Sequence, residues 1–173
     1  MKKVLMILLL AAILTGCSKE KMMETVSDVQ DTPVIAPMQR IMVQLPPEMA
    51  SPVLESEGMG ALYECDDYSV TVQTVEAGDL QESIRNATGM EIDNLQIIQT
   101  GQGSEKRYQW VWASGGDNGI QVGRGCILDD GTYHYVLTAL ADEKMAGKVQ
   151  PAWNEIFASF RLTASTEDIS TGS

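Results

Sequence analysis

Apolar and polar residues are distributed differently in successive parts of the chain, and these differences divide it into segments. An unbroken apolar run covers residues 4–14, and no second run of that length follows. Residues 18–38 are a mixture of polar, charged and scattered apolar residues without a sustained apolar period, which predicts a flexible tether. Residues 39–162 show strand-like and helix-like patterns, which predict one globular domain. The small polar residues 163–173 are expected to form a disordered tail.

Period-two alternation, bounded by turn residues, predicts an antiparallel sheet in the domain. The strand candidates are residues 40–45, 53–54, 60–64, 68–75, 95–99, 106–113, 119–129 and 132–141. Asp130-Gly131 suits a two-residue hairpin turn and would place Asp129 opposite Thr132. Both sides of this hairpin are then fairly apolar, so we expect the sheet to be covered on both faces. Arg124 interrupts one side and is expected to reach solvent or a partner carboxylate.

Two helices are predicted. The first begins at Asp79, an acidic N-cap, and ends before Gly89. The second covers about residues 145–160. Because proline is accepted only in a first turn, Pro151 predicts that its packed part begins near Val149. The buried stripes are Leu80, Ile84 and Ala87 in the first helix and Trp153, Ile156, Phe157 and Phe160 in the second. Strands, a helix, antiparallel strands and a helix indicate an α+β fold with an antiparallel β-sheet flanked by helices.

The N-terminus has the features of an export signal. Lys2 and Lys3 precede the apolar run, and Leu14-Thr15-Gly16-Cys17 follows it. A charged start, a short apolar core and small residues at the cut site are typical of a secretory signal, and a spanning helix would need about 20 apolar residues. The tetrapeptide resembles the lipobox of bacterial lipoprotein precursors. The resemblance implies a signal peptide over residues 1–16 and diacylglycerol on the sulfur of Cys17.

The resemblance also predicts where the protein works. A lipid on Cys17 would anchor the mature chain to the cell membrane or the outer membrane, facing outside the cytoplasm. The full chain has a formal net charge of −12. Without the signal peptide and its two lysines, ten basic side chains oppose 24 acidic ones, a net charge of −14. Such a surface repels nucleic acid, so no nucleic-acid partner is expected.

Two cysteines remain beside the lipid site, Cys65 and Cys126. An exported protein is in a compartment that permits disulfides, so a bridge between them is one prediction. The alternative is two reduced, buried thiols. No Cys-x-x-Cys or histidine pair accompanies them, and the acidic clusters lack EF-hand spacing. We therefore expect no metal and no cofactor.

His134 is the chain's single histidine, and a Ser-His-Asp or Cys-His hydrolase would have to use it. Its position in a predicted strand between two tyrosines favours an ordinary packed or surface histidine. The chain has no Gly-x-Ser-x-Gly motif. A hydrolase is therefore disfavoured, and no catalytic residue is assigned.

Aromatic residues provide the main candidate binding surface. Tyr108, Trp110 and Trp112 alternate along one predicted strand and so share a face. An open face would be a platform for sugars or apolar peptides, whereas a covered one would place these rings in the core. The glycine-rich segment 114–119 lacks the features of a phosphate loop and is interpreted as a hairpin loop.

A second resemblance lies in two segments near the end of the domain. They are Asp130-Gly131-Thr132-Tyr133-His134-Tyr135-Val136-Leu137-Thr138 and the helix ending in Trp153, Ile156, Phe157, Ser159, Phe160, Arg161 and Leu162. Together they resemble the C-terminal half of PsbP-like domains. The resemblance implies an α/β/α sandwich and a non-enzymatic accessory role, and it carries over no functional residue.

Two functions follow from these observations. The first is a lipid-anchored, non-catalytic module that binds another envelope component, such as a protein partner. The second is a carrier of the same fold that holds a small apolar or lipidic molecule between sheet and helix. A cavity beside Trp110 and Trp153 would favour the carrier, and a flat exposed patch over a packed core would favour docking. A cleft that gathers His134 with a carboxylate and a serine or cysteine would favour a hydrolase.

Overall fold

A seven-stranded antiparallel sheet forms the centre of the domain. The computed structural model describes residues 37–57, 59–101, 105–116 and 119–163. The strands are β1 (Arg40–Met42), β2 (Leu54–Ser56), β3 (Gly60–Glu64), β4 (Ser69–Glu76), β5 (Ile98–Thr100), β6 (Lys106–Gly116), β7 (Gly119–Asp129), β8 (Tyr133–Asp142) and β9 (Arg161–Thr163). The helices are α1 (Leu80–Thr88) and α2 (Ala146–Ser159). Strands of the large sheet follow the order β2-β3-β4-β8-β7-β6-β5, and β1 pairs with β9 in a separate two-stranded sheet.

Each face of the large sheet is covered by one helix. On the face that we call the α2 face, alternate residues of β7 and β8 pack with α2, and on the α1 face the intervening residues pack with α1. The α2 face includes Cys126, Leu128, Tyr135, Leu137, Trp153, Ile156 and Phe157, and the α1 face includes Ile84, Trp110, Trp112, Ile127 and Val136. The antiparallel α+β fold and the coverage of both faces are thus confirmed.

The β7–β8 hairpin has a different register from the predicted one. Asp129 lies opposite His134 rather than Thr132, a shift of two residues. The side chain of Asp130 is the physical reason, since its Oδ1 accepts hydrogen bonds from the backbone N–H groups of Thr132 and Tyr133 at 2.9 and 2.7 Å. These bonds stabilise the turn between Asp129 and His134. Because the shift is even, every side chain keeps its predicted face.

Helix α1 has the predicted ends. The Asp79 carboxylate accepts a hydrogen bond from the backbone N–H of Gln81 at 2.9 Å, and Gly89 ends the helix with a φ of 71°. A left-handed residue at this position is the usual reason for a glycine after the last turn. Ser83 and Ile84 are the buried residues of the helix.

Helix α2 has nearly the predicted range, but Pro151 has a different position in it from the predicted one. A 3₁₀ turn over Glu143–Met145 leads into it, and Pro151 lies inside the helix rather than in its first turn. Proline removes one helical hydrogen bond, the one to the carbonyl four residues earlier. The buried residues of α2, Val149, Trp153, Ile156 and Phe157, offset that loss. The buried residues of α2 begin at Val149 as predicted, whereas the expectation that Pro151 lies in a first turn is wrong.

The beginning and the end of the described chain are fastened to each other and to the hairpin loop. Arg40 pairs with Thr163, so the first residue of the predicted tail lies in β9. Gln39 donates its backbone N–H to the Tyr135 hydroxyl at 2.8 Å and its side-chain amide to Asp130 at 3.1 Å. Cys17, most of the tether and the rest of the tail lie outside the described residues.

The predicted Cys65–Cys126 disulfide is absent, because both side chains are free thiols. Cys65 directly follows β3, whereas Cys126 lies within β7, and β4 and β8 lie between these strands. Three steps of about 4.8 Å across a sheet exceed the roughly 7 Å that separates bridged Cα atoms. Burial raises the pKa of the Cys126 thiol to about 11, so it stays protonated at neutral pH.

Candidate binding groove

A groove of about 850 Å³ lies between the N-terminal half of α2 and the outer edge of the sheet. Ligand sites for small molecules occupy about 300–1,000 Å³, so the volume suits one such molecule. Its lining residues are Met90, Asn94, Leu95, Gln96, Ile98, Gln109, Trp110, Val111, Trp112, Ala113, Val122, Gly123, Arg124, Ala146, Gly147, Gln150, Trp153 and Asn154.

The groove exists because β5 is much shorter than β6. Residues Ile98–Thr100 pair only with Arg107–Gln109, so within the described residues β6 has no outer strand partner from Trp110 onward. Above this free edge, the first turn of α2 presents only Ala146 and Gly147. A short neighbouring strand and small helical residues together leave space between sheet and helix.

Apolar side chains at the edge of the groove are unusually exposed. Val111 of β6 is 65% exposed and Ile98 of β5 is 59% exposed. Single exposed apolar residues are ordinary on protein surfaces, but a contiguous exposed patch often marks an interaction site. These two flank the groove, which gives it an apolar rim.

Arg124 is the only charged residue among the described residues that line the groove. Its guanidinium lies 4.5 Å from the centre of the Phe157 ring and donates to Asn154 Oδ1 at 2.8 Å. A longer contact of 3.4 Å reaches Gln109 Oε1. Both hydrogen-bond partners are neutral amides, and no described carboxylate forms an ion pair with Arg124. The predicted carboxylate partner is therefore not found among the described residues.

The surroundings of Arg124 disfavour its positive charge. Burial lowers the pKa of its guanidinium, and the nearby positive charge of Arg107 lowers it further. Arginine nevertheless stays protonated in proteins. The groove therefore contains a partly desolvated cation whose charge its protein neighbours do not balance.

Arg107 lies on the same face of the sheet as Arg124, but its hydrogen bonds stabilise the fold. Its two terminal nitrogens donate to the carbonyls of Phe157 at 2.6 Å and Phe160 at 2.9 Å. These carbonyls lie at the end of α2, where the helix leaves acceptors unpaired and a cation is favourable. Arg107 stabilises the helix end, whereas Arg124 has no comparable structural task.

Of the two alternatives for the aromatic strand, an open platform and rings packed in the core, the structure shows the second. Trp110 and Trp112 do share a face, but they are only 2% and 9% exposed. Each ring lies against a glycine of β7, Gly125 for Trp110 and Gly123 for Trp112, and a Cβ at either glycine would overlap the ring. Tyr108 packs beside them. The two tryptophans are core residues of the α1 face that also border the groove.

His134 lies in a second polar cluster, on the α1 face. Ser83 Oγ of α1 is 2.8 Å from His134 Nδ1, and Asp129 Oδ1 is 3.9 Å from His134 Nε2. The structure thus brings a hydroxyl, an imidazole and a carboxylate together, as a hydrolase would require. Sequence reasoning missed Ser83, because no motif surrounds it.

The geometry of this cluster differs from that of an activated nucleophile. The Asp129 carboxylate is too distant to hydrogen-bond the imidazole, and its Oδ1 already accepts the Gly131 N–H at 2.8 Å. Ser83 and His134 are 9% and 2% exposed, and Ser83 lies inside a helix rather than on a strained turn. Burial lowers the pKa of His134, against the opposing effect of Asp129 and Asp130. The cluster fits a buried, neutral, hydrogen-bonded histidine.

In the described part of the chain, no group of three or more histidine, cysteine, aspartate or glutamate residues could hold a metal ion. Nor is any helix among those residues both long and apolar enough to cross a membrane.

Residues 1–18 match the family model of the prokaryotic membrane lipoprotein lipid attachment site. The chain carries a lipoprotein attachment site. This match confirms the recognition of the lipobox, whereas the modification of Cys17 itself stays a prediction. No curated protein matches the chain.

Two solved structures are similar to the domain. One is LpqN, described as involved in cell envelope biogenesis of Mycobacterium tuberculosis, at 13% identity and a TM-score of 0.49, covering 74% of this chain and 86% of LpqN. The other is cyanobacterial PsbP (CyanoP) from Synechocystis sp. PCC 6803, at 11% identity and a TM-score of 0.45, covering 71% of this chain and 82% of that protein. The family that the C-terminal segments resemble is thus among the similar structures. At these values the likeness transfers neither residue roles nor a function.

Proposed function

We propose that the protein is a lipid-anchored, non-catalytic binding module of the cell envelope that holds a small apolar or amphipathic molecule in the groove. The observation that carries this proposal is the groove itself, which borders Trp110 and Trp153. Its lining is mostly apolar with a few polar groups, the usual composition of a ligand site. A lipid on Cys17 would keep such a module at the membrane, where molecules of this kind are concentrated.

A variant that fills the groove tests the proposal. Gly147 lines the groove, and a Cβ added there meets nothing within 4 Å. Gly147→Phe is therefore expected to occupy the groove without straining the backbone, and Gly147→Ala is the matched control that leaves it open. Each protein would be purified from its own envelope in the lipidated form, and its bound small molecules extracted and identified by mass spectrometry.

The expected result is a molecule that copurifies with the wild type and with Gly147→Ala and is absent from Gly147→Phe. Identical extracts from all three proteins would contradict the proposal. Unfolding curves of the variants show whether each is folded.

Docking onto another envelope protein is the second candidate function. The exposed apolar residues Ile98, Val111 and Ile120 favour it, since they lie on β5, β6 and β7, three adjacent strands at one end of the sheet. A photo-crosslinking amino acid at position 111 tests it in intact cells. A single crosslinked protein that disappears when the label is moved to the exposed position 155 would support docking, and crosslinks shared by both positions would not.

A further inference from the structure

We propose that the molecule held in the groove is an amphipathic anion, whose anionic head pairs with the Arg124 guanidinium while its apolar chain lies along the free edge of β6. This inference rests on the proposed function and specifies the ligand class of the same groove. It follows from three observations, which concern the charge of the lining, the hydrogen bonds of Arg124 and the position of the apolar residues.

The charge of the lining is opposite to that of the protein. The chain has 24 acidic and 12 basic residues, yet the described lining of the groove contains one cation and no carboxylate. A strongly acidic protein repels anions at long range. A local site free of carboxylates and supplied with an arginine is therefore suited to an anionic group.

The hydrogen bonds of Arg124 leave it able to bind such a group. A guanidinium has several N–H donors arranged as a fork that matches a carboxylate or phosphate. Two N–H groups of Arg124 donate to the side-chain amides of Asn154 and Gln109, which are both neutral. Taking a charge out of water is unfavourable unless a partner of opposite charge is near. An anion in the groove would supply that partner and use the remaining donors.

The apolar residues of the groove lie to one side of Arg124. Arg124 is in β7, and its neighbour across the strand pair is Val111 of β6. Ile98 of β5, the outermost strand, lies opposite Gln109, the next residue of β6 on the same face as Val111. A ligand with its charge at Arg124 therefore meets apolar side chains as it extends toward the edge of the sheet. This arrangement fits one charged head and one apolar chain, and it would leave a second charge at the far end unpaired.

The chemistry is shared by fatty carboxylates and by single-chain phosphate lipids. A titration series distinguishes them and tests the charge at the same time. The mature chain from residue 17 would carry Cys17→Ala, so that it stays unlipidated and needs no detergent. Isothermal titration would use dodecanoate, dodecyl phosphate, dodecanol and dodecyltrimethylammonium, all below their micellar concentrations.

In the wild-type groove, at least one of the two anions is expected to bind about tenfold or more tightly than dodecanol, the size of effect that a charge-assisted hydrogen bond produces. Dodecyltrimethylammonium should bind most weakly. Tighter binding of dodecanoate would indicate a carboxylate ligand, and tighter binding of dodecyl phosphate a phosphate lipid.

Three variants identify the group responsible. Arg124→Met keeps an unbranched apolar chain against Phe157 and should reduce the preference for anions to within about twofold of dodecanol. Arg124→Lys keeps the charge and should retain part of the preference. Arg40→Gln removes an exposed charge in β1, outside the groove, and should bind all four molecules as the wild type does.

Either of two results would overturn the inference: an anion preference that survives in Arg124→Met, or dodecanol binding as tightly as both anions. Failure of all four molecules to bind would overturn it as well. The proposed function has its own test, because a molecule that copurifies with Gly147→Ala and not with Gly147→Phe would still support a ligand groove of different chemistry.

Discussion

The two faces of the central sheet each hold a polar side chain among apolar neighbours, and the protein treats the two differently. On the α1 face, His134 is 2% exposed and has a hydrogen-bonding partner in Ser83. On the α2 face, Arg124 is only half buried, contacts neutral amides and borders a groove of about 850 Å³. The residue types on the α1 face resemble those of a catalytic site, but the unbalanced charge lies on the α2 face, beside the open space at the edge of the sheet. Accessibility and unsatisfied charge, rather than residue type, point to the functional site.

The largest loss of stability is expected from a substitution in the packed core of the α1 face. Gly125→Val should lower the free energy of unfolding by about 3 kcal/mol, because its side chain would overlap the Trp110 ring in a packed core. Gly147→Ala is the control in the groove, where an added methyl group meets no atom within 4 Å. Alanine also stabilises a helix by about 1 kcal/mol relative to glycine. Urea unfolding measures both. A similar loss in the two variants would mean that the faces are packed alike.

A smaller loss of stability is expected when the hydrogen bond between Ser83 and His134 on the α1 face is removed. Ser83→Ala should lower the free energy of unfolding by about 2 kcal/mol, since it leaves a buried imidazole nitrogen without its partner. Ligand binding in the groove should not change. The exposed Ser51→Ala is the control and should stay within about 0.5 kcal/mol of the wild type. An unchanged stability of Ser83→Ala would show that the pair contributes nothing.

The same pair predicts a dependence on pH. Burial lowers the pKa of His134 in the folded state from its ordinary value of 6.5. As the pH falls through 6.5, the unfolded chain takes up a proton that the folded protein does not, so stability decreases by at most about 1.4 kcal/mol per pH unit for one group. His134→Gln lacks this contribution. The difference in unfolding free energy between wild type and variant should therefore narrow from pH 8 to pH 5, and a constant or widening difference would contradict the assignment.

The smallest change in stability is expected from a substitution of Arg124 on the α2 face. Arg124→Met should alter the free energy of unfolding by less than about 1 kcal/mol, because the apolar chain is kept and only a cation–π contact and one short hydrogen bond are lost. Thermal and urea unfolding measure this change. Loss of several kcal/mol would assign Arg124 a structural task like that of Arg107 and would weaken its role as a ligand-binding residue.

Sequence reasoning succeeded where the signals are local. The Asp79 cap and Gly89 fix both ends of α1 within a few residues of sequence. The two faces of the β7–β8 hairpin follow from period-two alternation alone, so they were predicted correctly even though the register was wrong. The register depends on the Asp130 carboxylate, which accepts hydrogen bonds from the backbone of Thr132 and Tyr133. The Asp130-Gly131 dipeptide alone favours the shorter turn and gives no sign of these bonds or of the distant contact with Gln39.

The groove could be predicted only in part. Arg124 stood out as an exception on an apolar strand face, and that was the available signal. The rest depends on tertiary structure, namely that β5 pairs with only three residues of β6 and that Ala146 and Gly147 lie above the free edge. The choice between a disulfide and two free thiols at Cys65 and Cys126 likewise depends on tertiary structure, because strand order decides which cysteines can meet.

The most direct test of a ligand groove uses the protein's own fluorescence. The chain has three tryptophans, and all of them, Trp110, Trp112 and Trp153, line the groove. A brominated amphiphile such as 12-bromododecanoate quenches tryptophan emission only at short range. If the groove binds a ligand, quenching should be saturable in the unlipidated mature chain and in Gly147→Ala, and it should be lost in Gly147→Phe. Quenching that does not saturate, or that is the same in Gly147→Phe, would contradict it.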